Sequence, residues 1–331
     1  YKLAGALALQ KVDIQASFPC IQLGVQQFGG AERAVHIMRT AAEAAGPDSV
    51  ILAVDIQNAF NERSRQAIME RAIATPAAAP ILRLAQWAYG QSSDLLVYDG
   101  AGRPLMDVIP SQQGVKQGDC LGSYLFSLSM QHHFEEVASP VPALLPRPAA
   151  DADNKQELEE EEQRQQGPSV QAVVAIADDL TIIGRLDVVC AAFDRFRERC
   201  SAEALTVRPS KSSLCWPRLD PPAPPVVIEA AAQRQLTLRQ GGLQILGVYI
   251  GADAASAAGD LADAVQSQEP LLQALQHEDM PRQHAMAILR VCAVPCLNYK
   301  MRCVLPSVSK AGLRDFDGRV QKVLTDKMDL M

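Results

Sequence analysis

Two adjacent aspartates, Asp178 and Asp179, sit between apolar runs in residues 170–184 (VQAVVAIADDLTIIG), and a third, Asp55, closes the apolar run SVILAVD at residues 49–55. Carboxylates brought to one place raise each other's pKa unless cations neutralise them. Together the three would hold two Mg²⁺ ions about 3.5–4 Å apart, an arrangement that stabilises the attacking and leaving oxygens of an in-line phosphoryl displacement. Magnesium suits such a site because it prefers carboxylate oxygens together with substrate phosphates; Mn²⁺ is the alternative ion. Taken alone, the Asp pair reads equally well as a solvated turn, where Asp is common.

Three more features suit a nucleotide in the same place. Phe60 follows Asp55 by five residues, where strand gives way to helix and an aromatic can lie under a sugar ring. Gln117-Gly118 lies in a glycine-punctuated loop, SQQGVKQGDCLGS, able to approach a base pair or triphosphate closely. Lys211 supplies a cation for a leaving pyrophosphate. Each has an ordinary alternative: Phe60 a core aromatic, Gln117 a turn residue, Lys211 a surface lysine. A receiver-type phospho-acceptor domain also combines an Asp pair, a strand-end Asp and a Lys, but there the pair precedes the single Asp and the intervening chain is shorter.

The elements that must position these residues follow from apolar patterning. Short runs rich in β-branched residues read as strands. Residues 49–55 therefore form a buried strand, and residues 170–184 a hairpin with Asp178 and Asp179 at its tip. Residues 94–109 alternate around Asp99-Gly100 and Gly102, a second hairpin signal. A Gly-Gly turn at 29–30 opens a helix ended by Gly46-Pro47. Further helices are expected after Asp55, after the Gln117 loop and after the aspartate hairpin. TVRPSKSSLCW reads as a strand interrupted by Pro209, with Lys211 near its start. From residue 252 the chain reads as mostly helical. Residues 139–169 combine a Pro/Ala stretch with an acidic block and are expected to be a disordered insertion.

The chain has 331 residues and a formal charge of −7, which weakens but does not exclude a nucleic-acid partner. Residues 151–164 hold seven acidic and two basic side chains, a net of −5, so the remainder carries only −2. A near-neutral remainder can still gather Lys and Arg on one face. No apolar run reaches the roughly 18–20 residues of a membrane span, so no membrane role is expected. The eight cysteines lie scattered in apolar segments, which suggests reduced, mostly buried thiols in an intracellular setting. No CxxC pair accompanies His284, Cys292, Cys296 and Cys303, so a zinc site there is disfavoured.

In their order, AVDIQNAFN, GVKQGDCLGSYLF, AIADDLTIIG, LTVRPSKSS and LQILGVYIG resemble motifs A to E of reverse transcriptases. QLGV…GGAERAVHIMR ahead of them and ILRVCAVPCLNYKMR after them resemble the non-LTR retrotransposon type in particular. The resemblance implies an α+β fold, a right-hand polymerase palm with an antiparallel sheet packed on helices. Residues 1–49 would be partial fingers, 50–251 the palm, and 252–331 a helical thumb-like region. It implies RNA-directed DNA synthesis with an RNA template, a DNA primer and dNTPs as partners, in the nucleus if the element integrates in a eukaryotic genome. Asp55, Asp178 and Asp179 fall on the metal-site carboxylates, Ile56 on a backbone carbonyl ligand and Phe60 on the steric gate against a ribose 2′-hydroxyl. Gln117 and Gly118 fall on the nucleotide and template contact, Lys211 on the pyrophosphate-protonating lysine, and Leu246 and Gly247 on the primer grip. The chain departs from the family pattern at Ile176, Cys120 and Gly122-Ser123. The family also carries an Arg-Pro-Ile type segment ahead of where this chain begins, so a missing N-terminal part of the same polyprotein is a further expected partner. The alternative is a catalytically inactive or domesticated fragment of this fold that binds RNA or protein.

Overall fold

The computed structural model describes residues 1–138 and 170–328; the expected acidic insertion at 139–169 lies outside the described residues. Nine strands occur among them: β1 Ser49–Val54, β2 Ser93–Tyr98, β3 Pro104–Ser111, β4 Ala172–Ile176, β5 Asp179–Arg185, β6 Ser213–Trp216, β7 Thr237–Gln240, β8 Gly242–Ile245 and β9 Val248–Gly251. Five make a sheet in the order β4-β5-β1-β6-β7, while β2–β3 and β8–β9 are separate hairpins. All neighbours in the large sheet run antiparallel except β6 and β7. The chain is thus mixed α+β.

The central strand explains why its sequence is apolar without alternation. Val50, Leu52 and Val54 point to one core with Leu180, Ile182, Leu214 and Trp216, under the helices Gly122–Ala138 and Leu186–Ala202. Ile51 points the other way, with Ile183, Cys215 and Val174, under the helix Gly30–Ala44 and the β8–β9 hairpin. A sheet covered on both faces needs apolar residues at every position. The second core also takes Cys303 and Val304, so the C-terminal helical region docks on the same face. That region, from Ala254 to Met328, has small cores of its own around Leu272 and Val323 and around Val265 and Phe316. No helix among the described residues is long and apolar enough to cross a membrane.

The helix Gly122–Ala138 carries polar groups into the first core. Arg63 is fully buried; its Nε donates to Ser129 Oγ at 3.1 Å, and its Nη1 lies 2.5 Å from Glu203. His132 and His133 each place Nε2 3.2 Å from the same carboxylate. His132, His133 and Glu203 are the one group among the described residues whose ligand atoms all lie within 4.8 Å of one another. Arg63 already supplies the positive charge there, so the cluster reads as a structural ion pair flanked by neutral imidazoles. Burial works to raise Glu203, but the Arg63 guanidinium outweighs it and pushes the carboxyl down to about 2. Burial, then neighbouring His132, pushes His133 from 6.5 down to about 4.

A histidine whose folded pKa is lowered stabilises fully above its unfolded value and loses that contribution as pH falls through the folded one. Stability should therefore decline between pH 6.5 and 4, by at most roughly 3 kcal/mol for a shift of this size. Urea unfolding of the chain and of His133→Gln at pH 7 and pH 4.5 checks this. The variant should lose clearly less, and equal losses would mean that His133 is not the titrating group.

Candidate active site

Val54 and Leu180 form the last residue pair of the β1–β5 ladder. Asp55, next after β1, and Asp179, first in β5, therefore leave the sheet side by side at one end. The β4–β5 connection is a two-residue turn, Ala177–Asp178, between the paired Ile176 and Asp179. Asp178 thus occupies the tip expected for both aspartates, while Asp179 already belongs to the strand. Ala177 has φ 56, a left-handed conformation that costs a residue with a Cβ roughly 1–2 kcal/mol.

The aspartates sense one another. Burial raises the carboxyl of Asp178 above the usual range, and the charge of Asp55 adds to this against an opposing backbone hydrogen bond. Burial likewise raises Asp179, followed by the charges of Asp178 and Asp55. Among the described residues, no Lys or Arg forms an ion pair with any of the three. The three carboxylates offer the hard oxygen donors that a divalent ion such as Mg²⁺ prefers, but in this structure their oxygens do not all lie within 4.8 Å of one another, as the ligand atoms of His132, His133 and Glu203 do.

Asp55 is fixed through its backbone by the segment before β6. Its N–H donates to Oγ of fully buried Ser212 at 3.0 Å, and its carbonyl accepts from the Arg208 N–H at 2.9 Å. The Gln57 N–H donates to the Thr206 carbonyl at 2.8 Å, and Ile56 forms an antiparallel bridge to Val207. In this pattern the flanking residues exchange the hydrogen bonds, so the carbonyl of Ile56 itself points away from that segment. Lys211 is exposed in the turn just ahead of Ser212, a correction to its expected place near the start of a strand, since β6 begins only at Ser213. Pro209, which lacks an N–H, stands in the turn that separates the Ile56–Val207 bridge from β6.

Phe60 lies in the short helix Ala59–Glu62, half-buried, its ring stacked on Phe126 at 4.1 Å between centroids. Core packing and a partly open face are both present. The Phe60 carbonyl accepts from the Val115 N–H at 2.8 Å, and the Gly114 N–H donates to the Arg63 carbonyl at 2.8 Å. Gly114 has φ 64, and a Cβ there would come within 2.4 Å of the Phe60 oxygen, so only glycine fits. Through this contact the loop carrying Gln117 and Gly118 is tied to the helix after Asp55. Both residues are exposed, Gly118 at φ 74, and Gln117 opens on a cleft of about 700 Å³ with Lys116, Asn61 and Leu95. Leu246 and Gly247 form the two-residue turn of β8–β9, at φ 50 and 73. Tyr299 donates to the Leu246 carbonyl at 2.8 Å, and Leu246 packs in the core shared with Ala53 and Ile176.

Sequence reasoning singled out neither Ser212 nor Gln22, which hold the aspartate segments by side-chain hydrogen bonds to backbone. Both lie inside stretches that carry the family resemblance, LTVRPSKSS and QLGV. Nothing in residue type distinguishes them from other polar neighbours.

No family model matches the chain, and no curated protein matches it. Solved structures are similar to it at low scores. They include telomerase from Candida albicans in complex with a TWJ fragment of telomeric RNA, at TM-score 0.46 and 10% identity over 100% of this chain and 53% of that one. Apo telomerase from Candida tropicalis gives 0.45 and 10% over 98% and 52%. The Candida tropicalis enzyme with the TWJ fragment gives 0.44 and 11% over 97% and 49%. The chain spans about half the length of these solved chains.

Because burial, and then the charge of Asp55, raise the pKa of Asp178 in the folded state, stability is lost as pH rises through the window above the ordinary carboxylate range, and the full cost of the buried charge is present at pH 7. Asp178→Asn should raise the metal-free Tm at pH 7 by about 2–4 °C, equivalent to about 1 kcal/mol, and give no gain near pH 3.5. Added Mg²⁺ should raise the Tm of the unsubstituted chain more than that of the variant. Differential scanning calorimetry at both pH values decides; a lower Tm for the variant at pH 7 would show that Asp178 is a net stabilising group.

Proposed function

We propose that this chain is the reverse-transcriptase domain of a non-LTR retroelement, an RNA-directed DNA polymerase. In the reaction a primer 3′-hydroxyl attacks the α-phosphate of a dNTP paired to an RNA template. The supporting observation is that Asp55, Asp178 and Asp179, from distant segments, stand at one end of one sheet with no ion pair to Lys or Arg among the described residues. Residues 50–251 would be the palm, 1–49 partial fingers and 252–331 the thumb-like region.

Asp55 and Asp178, with the Ile56 carbonyl, would hold Mg²⁺ or Mn²⁺, and Asp179 would stand beside them as the less direct ligand. Bound there, the ions would neutralise charge on the phosphates and act as Lewis acids. The chain's own contribution is positioning and fixed electrostatics, as in phosphoryl transfer generally. Ser212 and the Arg208 N–H keep the Asp55 backbone in place. The Phe60 ring would lie under the deoxyribose and fill the space of a 2′-hydroxyl. Gln117 and Gly118 would touch the incoming nucleotide and template, exposed Lys211 would give a proton to the leaving pyrophosphate, and the Leu246-Gly247 turn would bear on the primer.

Primer extension on poly(rA)/oligo(dT), with Mg²⁺ and separately with Mn²⁺, tests the activity. Extension by the chain and a loss of at least about a hundredfold in Asp178→Asn is expected, a difference of roughly 3 kcal/mol in barrier. No extension with either metal, or extension that survives the substitution, overturns the reading.

The substrate assignment has its own test. Phe60→Val should shift the ratio of kcat/KM for rNTP over dNTP by about tenfold or more, which needs only about 1.4 kcal/mol. Loss of the Phe126 stack lowers both rates together, so the ratio is the readout. An unchanged ratio would make Phe60 a core residue only.

A further inference from the structure

Gln22 is fully buried and lies on a short segment that adds to the free edge of β4. The Ala175 N–H donates to the Ile21 carbonyl at 3.0 Å, and the Leu23 N–H donates to the Ala175 carbonyl at 2.9 Å. Two residues further along the hairpin, at Ala177, the backbone pairing is replaced by the Gln22 side chain. Its Oε1 accepts from the Ala177 N–H at 2.9 Å, and its Nε2 donates to the Ala177 carbonyl at 3.0 Å. Oε1 also accepts from the Gly24 N–H at 2.9 Å. Gly24 is needed for the fit, since a Cβ there would come within 2.8 Å of the Ala177 nitrogen.

We propose that Gln22 is a positioning residue for the aspartate turn: its carboxamide fixes the left-handed Ala177 and so sets where Asp178 and Asp179 present their oxygens to divalent ions. The inference rests on the metal-site reading above. The chemistry selects this side chain. Both polar groups of Ala177 must be satisfied from one buried side, which requires a donor and an acceptor on one planar group. Glutamate has the same shape but turns an oxygen toward the Ala177 carbonyl, and methionine fills the space with neither group. Gln22 touches no reacting atom and acts through Ala177 alone.

The test compares metal-free unsubstituted chain, Gln22→Met, Gln22→Glu and Asp178→Asn by electron paramagnetic resonance titration with Mn²⁺, each with its Tm. Val227→Ala, a buried change on the helix Pro225–Gln233, serves as a destabilised control away from the turn. The expected result is Mn²⁺ affinity lowered at least tenfold in Gln22→Met and Gln22→Glu and unchanged in the control at comparable loss of Tm. Primer extension should show a matching rise in the Mg²⁺ concentration for half-maximal rate, with the Kd for primer–template unchanged. If Gln22→Glu does not fold, Gln22→Met carries the comparison. Wild-type Mn²⁺ affinity in a folded Gln22→Met protein overturns the proposal and leaves the metal site standing. A chain with no Mn²⁺ site sensitive to Asp178→Asn overturns the metal-site reading, and the proposal with it.

Discussion

Three carboxylates held at one end of a sheet are the constraint on which the rest of this structure depends. Burial first, and then the charges of neighbouring aspartates, raise the proton affinity of Asp178 and Asp179, and no ion pair with Lys or Arg among the described residues relieves them. Left to themselves, the β1 end and the hairpin tip would splay apart. They are held because β1 is the middle strand, with antiparallel neighbours on both sides and a core on each face. Burial of the side chains of Ile51 and Leu52 alone is worth several kcal/mol, more than a partly solvated carboxylate pair opposes. The apolar sheet therefore acts as the clamp on a polar site.

Backbone contacts complete what the sheet begins. The ladder ends at Val54 and Leu180, so beyond it each aspartate segment needs other partners. Asp55 finds them in Ser212 and Arg208, and Ala177 finds them in Gln22. Both serine and glutamine are buried, and both spend their polar groups on main chain rather than on the carboxylates. The carboxylate oxygens stay available because the neighbours bind peptide groups instead. If cations bind here as proposed, this indirect stiffening leaves room for them, since a Lys or Arg would stiffen the site and fill it at once.

The strands were legible from sequence because a sheet covered on both faces demands continuous apolar runs, and residues 49–55 and 170–184 have them. The turn was legible to within one residue: Ala177, not Asp179, shares the tip with Asp178. Lys211 was placed too close to a strand because a chain with Pro209 can pair again only once past the turn, and that restart at Ser213 depends on β1 rather than on local pattern. Gln22 was invisible for a different reason. A polar residue in a weakly patterned stretch has no periodicity to report it, and its role exists only through contact with a residue 155 positions away. Phe60 remains double in character, because its stack on Phe126 and its partly open face are both real.

The C-terminal helices enter the same mechanical scheme through polar contacts to the β8–β9 hairpin and to the helix Gly30–Ala44. Tyr299 reaches from the helix Asn298–Cys303 to the Leu246 carbonyl, at a turn whose two residues both have positive φ. That turn closes the β8–β9 hairpin, which covers the face of the sheet opposite the helix Gly122–Ala138. Just before Tyr299 the helical path is irregular: a wide turn at Leu289–Ala293 gives way to a tight one at Val294–Leu297, around Pro295. Proline removes a helix hydrogen bond and crowds the preceding turn, which accounts for the widening. The bend aims Tyr299 at the hairpin, while Arg302 pairs with Glu32 at 2.8 Å on the neighbouring helix. A rotation of the C-terminal region would therefore pull on Leu246 and on the helix Gly30–Ala44 together. The second core, which includes Ile183 and Val174 from the aspartate hairpin, lies directly beneath both.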